Sequence, residues 1–229
     1  LMVATARIVG LTCSRKPDHI WRGIVRCSGS AKKRTTTTSS KLVTKAKSPP
    51  EITPGMIKGI CTLKKEVSGK SHGHETVNFD AAKKIGLLYD ATELRNFEIV
   101  KEYVKDIRSR QKDVLALGYV DRKALPMNQF AQLGLDFFTR KNLNWQLFPV
   151  SLEVENFIRE PFDIVLNLSD NAIFPLRYIA AVSKAKFRVG RFDLSSIPCY
   201  DMMIEASPET DLKQFINQAE EYLKKIKSR

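Results

Sequence analysis

The sequence predicts a single Rossmann-like α/β domain over residues 83–229, a mostly parallel sheet with helices on both faces. Three observations carry that expectation. Several runs of four to eight residues are apolar without alternation, as strands buried on both faces are. Each is followed by apolar residues at helical spacing. The stretch 160–192, EPFDIVLNLSDNAIFPLRYIAAVSKAKFRVGRF, contains a strand, a polar turn, a helix and a second strand, the pattern of a parallel crossover.

The elements follow in order. Residues 84–90, KIGLLYD, read as the first strand, and Thr92 stands where it could cap a helix over 93–108, with Phe97, Val100, Val104 and Ile107 on one face. Residues 113–120, DVLALGYV, are the second strand. A short helix is expected near 128–133, a brief strand at 136–139 and a helix at 154–159. The opening stretch then supplies strand 162–168, helix 173–184 and strand 187–192. A last strand is expected at 200–206. The terminal helix, 211–227, carries Leu212, Phe215, Ile216, Ala219, Tyr222, Leu223 and Ile226 on one face.

The segment before residue 83 has a different character. Residues 1–55 combine eleven Lys and Arg, a Thr/Ser block at 35–40 and Ser48-Pro49-Pro50, with only Asp18 and Glu51 as acids. Such composition buries too little apolar surface to order itself. Three readings stay open for it: a disordered basic extension, a targeting segment, or upstream sequence that is not native, with Met56 as a natural start. Residues 56–82 read as a linker or a short N-terminal helix.

The extension also accounts for most of the net charge of +13, leaving +4 for residues 56–229. The folded part is therefore only mildly basic, and the overall charge is weak evidence for nucleic acid. Cys13, Cys27, Cys61 and Cys199 form no CxxC pair, which fits a reducing, cytoplasmic compartment. No apolar run reaches the roughly 20 residues that span a bilayer, so no membrane role is expected.

In a doubly wound sheet, ligands lie beyond the carboxyl ends of the strands, where strand order reverses. Asp90 and Thr92 follow the first strand, Asp121 and Arg122 the second, Arg140 and Lys141 the third, and Ser169, Asp170 and Asn171 the fourth. If the first and fourth strands are neighbours, Asp90 and Thr92 face Ser169 and Asp170 across a crevice. Thr92, Ser169, Asp170 and Asn171 are equally the residue types that cap helices. Arg140 and Lys141, with Asn142 and Trp145, form a basic-aromatic cluster suited to a phosphate or a base. Arg177, Lys184, Lys186, Arg188 and Arg191 form a second basic group, which on one face would fit an acidic protein or RNA.

Motifs that name an activity are missing. No GxGxxG follows the first strand, and there is no GxSxG or HExxH. All three His, His19, His72 and His74, precede residue 75, and two His without further ligands nearby make a poor metal site. Neither a cofactor nor a metal is expected, and an acid-base catalyst in the domain would have to be Asp, Glu, Lys, Tyr or Cys.

The segments KKIGLLYDA at 83–91, LGYVDRKALP at 117–126, FFTRKNLNW at 137–145 and FIREPFDIVLNLSDNAIFPLRYIAAVSKAKFRVG at 157–190 resemble a family of uncharacterised bacterial proteins, a domain of unknown function. That resemblance implies a single cytoplasmic α/β domain and no assigned activity. The run from FDIVLNL to Arg188-Val189-Gly190 is also similar to the N-terminal domain of heptosyltransferase-type glycosyltransferases, whose early Gly-Asp turn does not occur here.

The leading expectation is a non-catalytic domain that binds a small anionic, phosphate-containing ligand or a macromolecular partner at its strand-end crevice. The alternative is an enzyme acting on a nucleotide or sugar-phosphate, with Asp90 or Asp170 as base and Arg140 or Lys141 on the phosphate. A weaker reading is an RNA- or ribosome-associated factor.

Overall fold

A computed structural model describes residues 6–8, 54–68, 75–124, 134–169, 173–207 and 209–227. The helix expected near 128–133 lies outside these residues, as do His72, His74, Asp170 and Asn171.

The described chain runs β1 (Ala6–Ile8), α1 (Pro54–Ser68), β2 (Lys84–Asp90), α2 (Leu94–Ser109), β3 (Asp113–Val120), β4 (Leu135–Thr139), α3 (Leu152–Arg159), β5 (Ile164–Asn167), α4 (Phe174–Val182), β6 (Phe187–Arg191), β7 (Met202–Ile204) and α5 (Leu212–Lys225). These strands form one sheet in the order β1-β7-β6-β5-β2-β3-β4. Strands β2 to β7 are all parallel. Only β1, on the far edge, is antiparallel to its neighbour β7, and nothing in the periodicity of residues 1–55 signals it.

The first long strand, β2, is the hinge of this topology. It pairs with β3 on one side and with β5 on the other, Leu88 opposite Leu117 and Asn167. From β2 the chain first winds outward to β3 and β4, then returns to lay down β5, β6 and β7 on the opposite side. The strand order therefore reverses between β2 and β5, as a Rossmann-like fold requires.

Side chains explain why these strands lie inside. Alternate residues of a strand point to opposite faces, so a strand covered on both sides must be apolar at every position. Leu87 and Tyr89 of β2 pack with Phe97 and Val100 of α2 and Phe215 of α5. Leu88 packs on the other face with Leu63 of α1, Phe157 of α3 and Phe174, Leu176 and Ile179 of α4. Two cores result, α2 and α5 over one face and α1, α3 and α4 over the other. Burying each such Leu or Phe contributes about 1.5–3 kcal/mol.

Helix α5 buries Phe215, Ile216, Ala219 and Leu223. It starts at Asp211, whose carboxylate accepts from the Leu212 N–H at 2.9 Å, while the Gln214 side chain accepts from the Asp211 N–H. That reciprocal arrangement satisfies donors the first turn would leave orphaned.

The amino ends of the central strands are tied by one carboxylate. Asp163, just before β5, accepts from the N–H groups of Lys83 and Lys84 at 2.8 and 3.0 Å and pairs with Lys186 at 3.0 Å. Burial opposes ionisation of this carboxyl, yet the Lys83 N–H, the Lys186 ammonium and the Lys84 N–H together hold it below the usual carboxylate range. The entrances to β2, β5 and β6 are locked together at the end away from the switch point.

Candidate functional site

Beyond the carboxyl ends of β2, β5, β6 and β7 lies a cavity of about 440 Å³. Its wall is built in chain order from Asp90 at the end of β2, Asn96 in the first turn of α2, Leu168 and Ser169 after β5, Arg191 and Phe192 at β6, and Ala206, Ser207, Thr210, Asp211 and Leu212 at the entry to α5. It therefore sits on the α2 and α5 side of the sheet, at the position where the strand order reverses.

Each polar group on this wall has a definite local reason for its place. One Asp90 carboxylate oxygen accepts from the Thr92 N–H at 2.9 Å, closing a tight turn after β2. The Asn167 carboxamide, buried at the end of β5, accepts from both the Ser169 N–H at 3.1 Å and the Ser169 hydroxyl at 2.6 Å. Asn167 in turn donates to the Tyr200 hydroxyl at 2.6 Å. Burial raises the Tyr200 pKa, so this phenol stays protonated at neutral pH. The Arg191 guanidinium lies 4.3 Å from the centroid of the Phe215 ring on α5, a cation–π contact that holds a charged side chain flat against the core. At the α5 end, Ser207 and Thr210 share a 2.9 Å hydroxyl contact, and Asp211 is bridged by Arg95 of α2 at 2.9 Å.

Two helices begin at the cavity, and their first turns differ. The α5 start already holds its own carboxylate, Asp211, as a cap. Helix α2 starts at Glu93, whose side chain makes no capping hydrogen bond, and its first turn contains no acidic residue.

The candidates named from the sequence fall into three groups. Asp90 and Ser169 border the cavity, and the pairing of β2 with β5 that brings them to one side of the sheet is present. Capping, the competing explanation, does not apply to the described ones. Thr92 caps nothing: its hydroxyl accepts from the Asp121 N–H at 3.0 Å, tying the β2 loop to the β3 loop. Ser169 is likewise no cap, because its hydroxyl is committed to Asn167, and α4 starts after Ile173 without a side-chain cap, Pro175 supplying a ring where an N–H would be orphaned.

Arg140 and Lys141 are elsewhere. Both are exposed, neither borders the cavity, and Arg140 Nε pairs with Asp121 at 2.8 Å. Their expected aromatic companion, Trp145, lies under the Lys58 ammonium at 5.0 Å, and Asn142 is turned back on Thr139. The basic-aromatic cluster thus divides into separate local contacts.

The second basic group is divided by burial. Arg177 and Arg188 are only 6% and 4% exposed. Arg177 donates to Ser196 at 3.2 Å and lies 3.8 Å from Asp193. Arg188 reaches the Ser183 carbonyl at 3.4 Å. Alternation places Arg188 on the α4 face of β6 and Arg191 on the α5 face, so the set cannot share one exposed face; Lys184 and Lys186 alone are exposed. Spacing within a strand should have separated positions 188 and 191.

The sequence reading missed Asn96, Ser207, Thr210 and Asp211, and it did not place Arg191 at the crevice. The sequence carries a signal for most of these: Arg191 and the residues from 206 onward follow the fifth and sixth strands of the domain, where the strand-end rule applies equally.

Among the described residues there is no group of three or more His, Cys, Asp or Glu that could hold a metal ion, and no helix long and apolar enough to cross a membrane. A family model, described as a family of unknown function (DUF6913), matches residues 61–226. No curated protein and no solved structure matches the chain.

Proposed function

The chain belongs to that family of unknown function, and we propose that this member is a non-catalytic binding domain for a small anionic ligand held in the strand-end cavity. One observation carries the reading: the ends of three adjacent parallel strands bring Asp90, Ser169 and Arg191 to a single cavity at the point of strand-order reversal. Its volume of about 440 Å³ falls in the roughly 300–1,000 Å³ range of small-molecule sites. Arg191 supplies a positive charge, and the start of α2, whose Asn96 lies on the wall, adds the positive end of a helix dipole. Phosphate-containing metabolites match this chemistry.

The enzymatic alternative, turnover of a nucleotide or sugar-phosphate, needs Arg140 or Lys141 on the phosphate while Asp90 or Asp170 acts as base. Neither cation borders the cavity that contains Asp90, so binding is the reading the geometry favours. Docking of RNA or an acidic protein through Arg177 and Arg188 is disfavoured by their burial. Free Cys61 and Cys199 fit work in a reducing, cytoplasmic compartment.

The test is thermal unfolding of the full chain with inorganic phosphate, against chloride at matched ionic strength. A ligand that binds only the folded state raises Tm in proportion to the logarithm of its concentration once above Kd. The expected result is a rise with phosphate that Arg191→Gln removes. An equal response in wild type and Arg191→Gln, or none in either, overturns the proposal.

A further inference from the structure

We infer that the ligand of this cavity is an anion that also carries a hydrogen-bond donor, a hydroxyl or an ammonium group, directed at Asp90 and Ser169; the inference rests on the anion-binding reading above. It comes from where the protons on that wall already are. The Ser169 backbone N–H points at Asn167 Oδ1 at 3.1 Å, and an N–H can meet only the oxygen of a carboxamide, so the orientation of the Asn167 amide is determined. The same oxygen accepts the Ser169 hydroxyl at 2.6 Å. On the opposite side, Asn167 Nδ2 donates to the Tyr200 hydroxyl at 2.6 Å, between two buried residues. The amide cannot turn over without breaking all three bonds, so the Ser169 proton stays on Asn167 and Ser169 Oγ has only lone pairs to offer the cavity.

Asp90 points to the same requirement. One of its oxygens accepts from the Thr92 N–H at 2.9 Å, and an ionised carboxylate has nothing but acceptors to present. The wall contributed by β2 and β5 is thus an acceptor surface. Arg191, on β6, is the reverse, since a guanidinium carries five N–H donors and no acceptor. A bare anion drawn by the Arg191 charge would set its own negative charge against Asp90 and Asp211, which line the same cavity. An anion with a hydroxyl or ammonium group meets the half-buried Asp90 carboxylate and the buried Ser169 oxygen with a proton, and acceptors left unmet penalise the ligand that lacks the donor.

Matched pairs test this by titration calorimetry on the full chain: glycerol 3-phosphate against propyl phosphate, and phosphoethanolamine against ethyl phosphate. Within each pair the phosphate monoester is shared and only the donor differs. Binding about tenfold or more tighter for the donor-bearing member of at least one pair is expected, from one hydrogen bond to a charged group. The pair that shows it identifies the donor as hydroxyl or ammonium. Asp90→Asn keeps an acceptor for Thr92 and turns the other carboxylate oxygen into a donor, so it should abolish the preference while propyl phosphate still binds. Ser169→Ala should reduce the preference without removing binding. If both members of each pair bind equally to wild type and Arg191→Gln abolishes both, the donor requirement is wrong and anion binding stands. If none of the four binds, or Arg191→Gln changes nothing, anion binding itself fails and the donor requirement with it.

Discussion

Asn167 and Tyr200 meet at 2.6 Å beneath the cavity, carboxamide to phenol, with both side chains buried. The contact joins the end of β5 to the segment before β7, two strands away in the sheet. It also holds the amide that orients Ser169. Tyr200→Phe should therefore leave Asn167 Nδ2 without its acceptor in a dry environment. The expected loss is about 1–3 kcal/mol in urea unfolding, with an unchanged m-value.

Gly190 is what lets Tyr200 reach that position. A Cβ at residue 190 would lie 2.7 Å from Tyr200 Cζ, inside van der Waals contact with a ring that cannot retreat from the core. Gly190→Ala should cost about 1–3 kcal/mol as an overpacking change. In a Tyr200→Leu background the same substitution should cost less, and a double-mutant cycle on unfolding free energies measures the difference.

The carboxylate at the other end of the sheet predicts a pH dependence. Asp163 has a folded-state pKa below its unfolded value, so its contribution is fully present above about pH 4 and is lost as pH falls through the folded value. Asp163→Asn should be less stable than wild type at pH 7. Urea midpoints at pH 7, 5 and 3 should show the two proteins converging at the acid end and little change in their separation between pH 7 and 5.

Cysteine labelling separates two environments. Cys61 is exposed, whereas Cys199 is buried and its thiol is pushed up to about 11 by desolvation, against the opposing effect of Arg177 and Arg188. Thiolate is the reactive form. A thiol reagent at pH 7.5, followed by peptide mass spectrometry, should modify Cys61 in the native protein and Cys199 only after denaturant is added.

Much of the architecture was legible from local pattern. The bounds of β2 and β3 match the runs KIGLLYD and DVLALGYV, because a strand covered on both faces must be apolar along its whole length. Helix α5 was equally readable, its buried residues recurring at helical spacing from an Asp cap. The fourth, fifth and sixth strands of the domain are shorter than the runs 162–168, 187–192 and 200–206 suggest: β5 is Ile164–Asn167, β6 is Phe187–Arg191, and β7 is three residues, Met202–Ile204, entered from the turn Leu194–Cys199. Thr92 and Ser169 look like caps in any local reading. Their hydroxyls go to the Asp121 N–H and the Asn167 carboxamide, Thr92's partner being in the loop after β3, a strand brought alongside by the fold.

By itself the sequence determined what local chemistry can decide: which runs are buried strands, which faces of the helices are apolar, and that successive strands run parallel. Those properties follow from spacing of 2.0 and 3.6 residues and from the reach of short loops. The partnership of Asp90, Ser169 and Arg191 was decided only by tertiary structure. They stand 79 and 22 positions apart along the chain, and they share a cavity because β2 accepts β5 as its second neighbour and β6 then adds beside it. The same packing withdrew Arg177 and Arg188 from the surface. Charge in a sequence has no direction until the strand that carries it has a face.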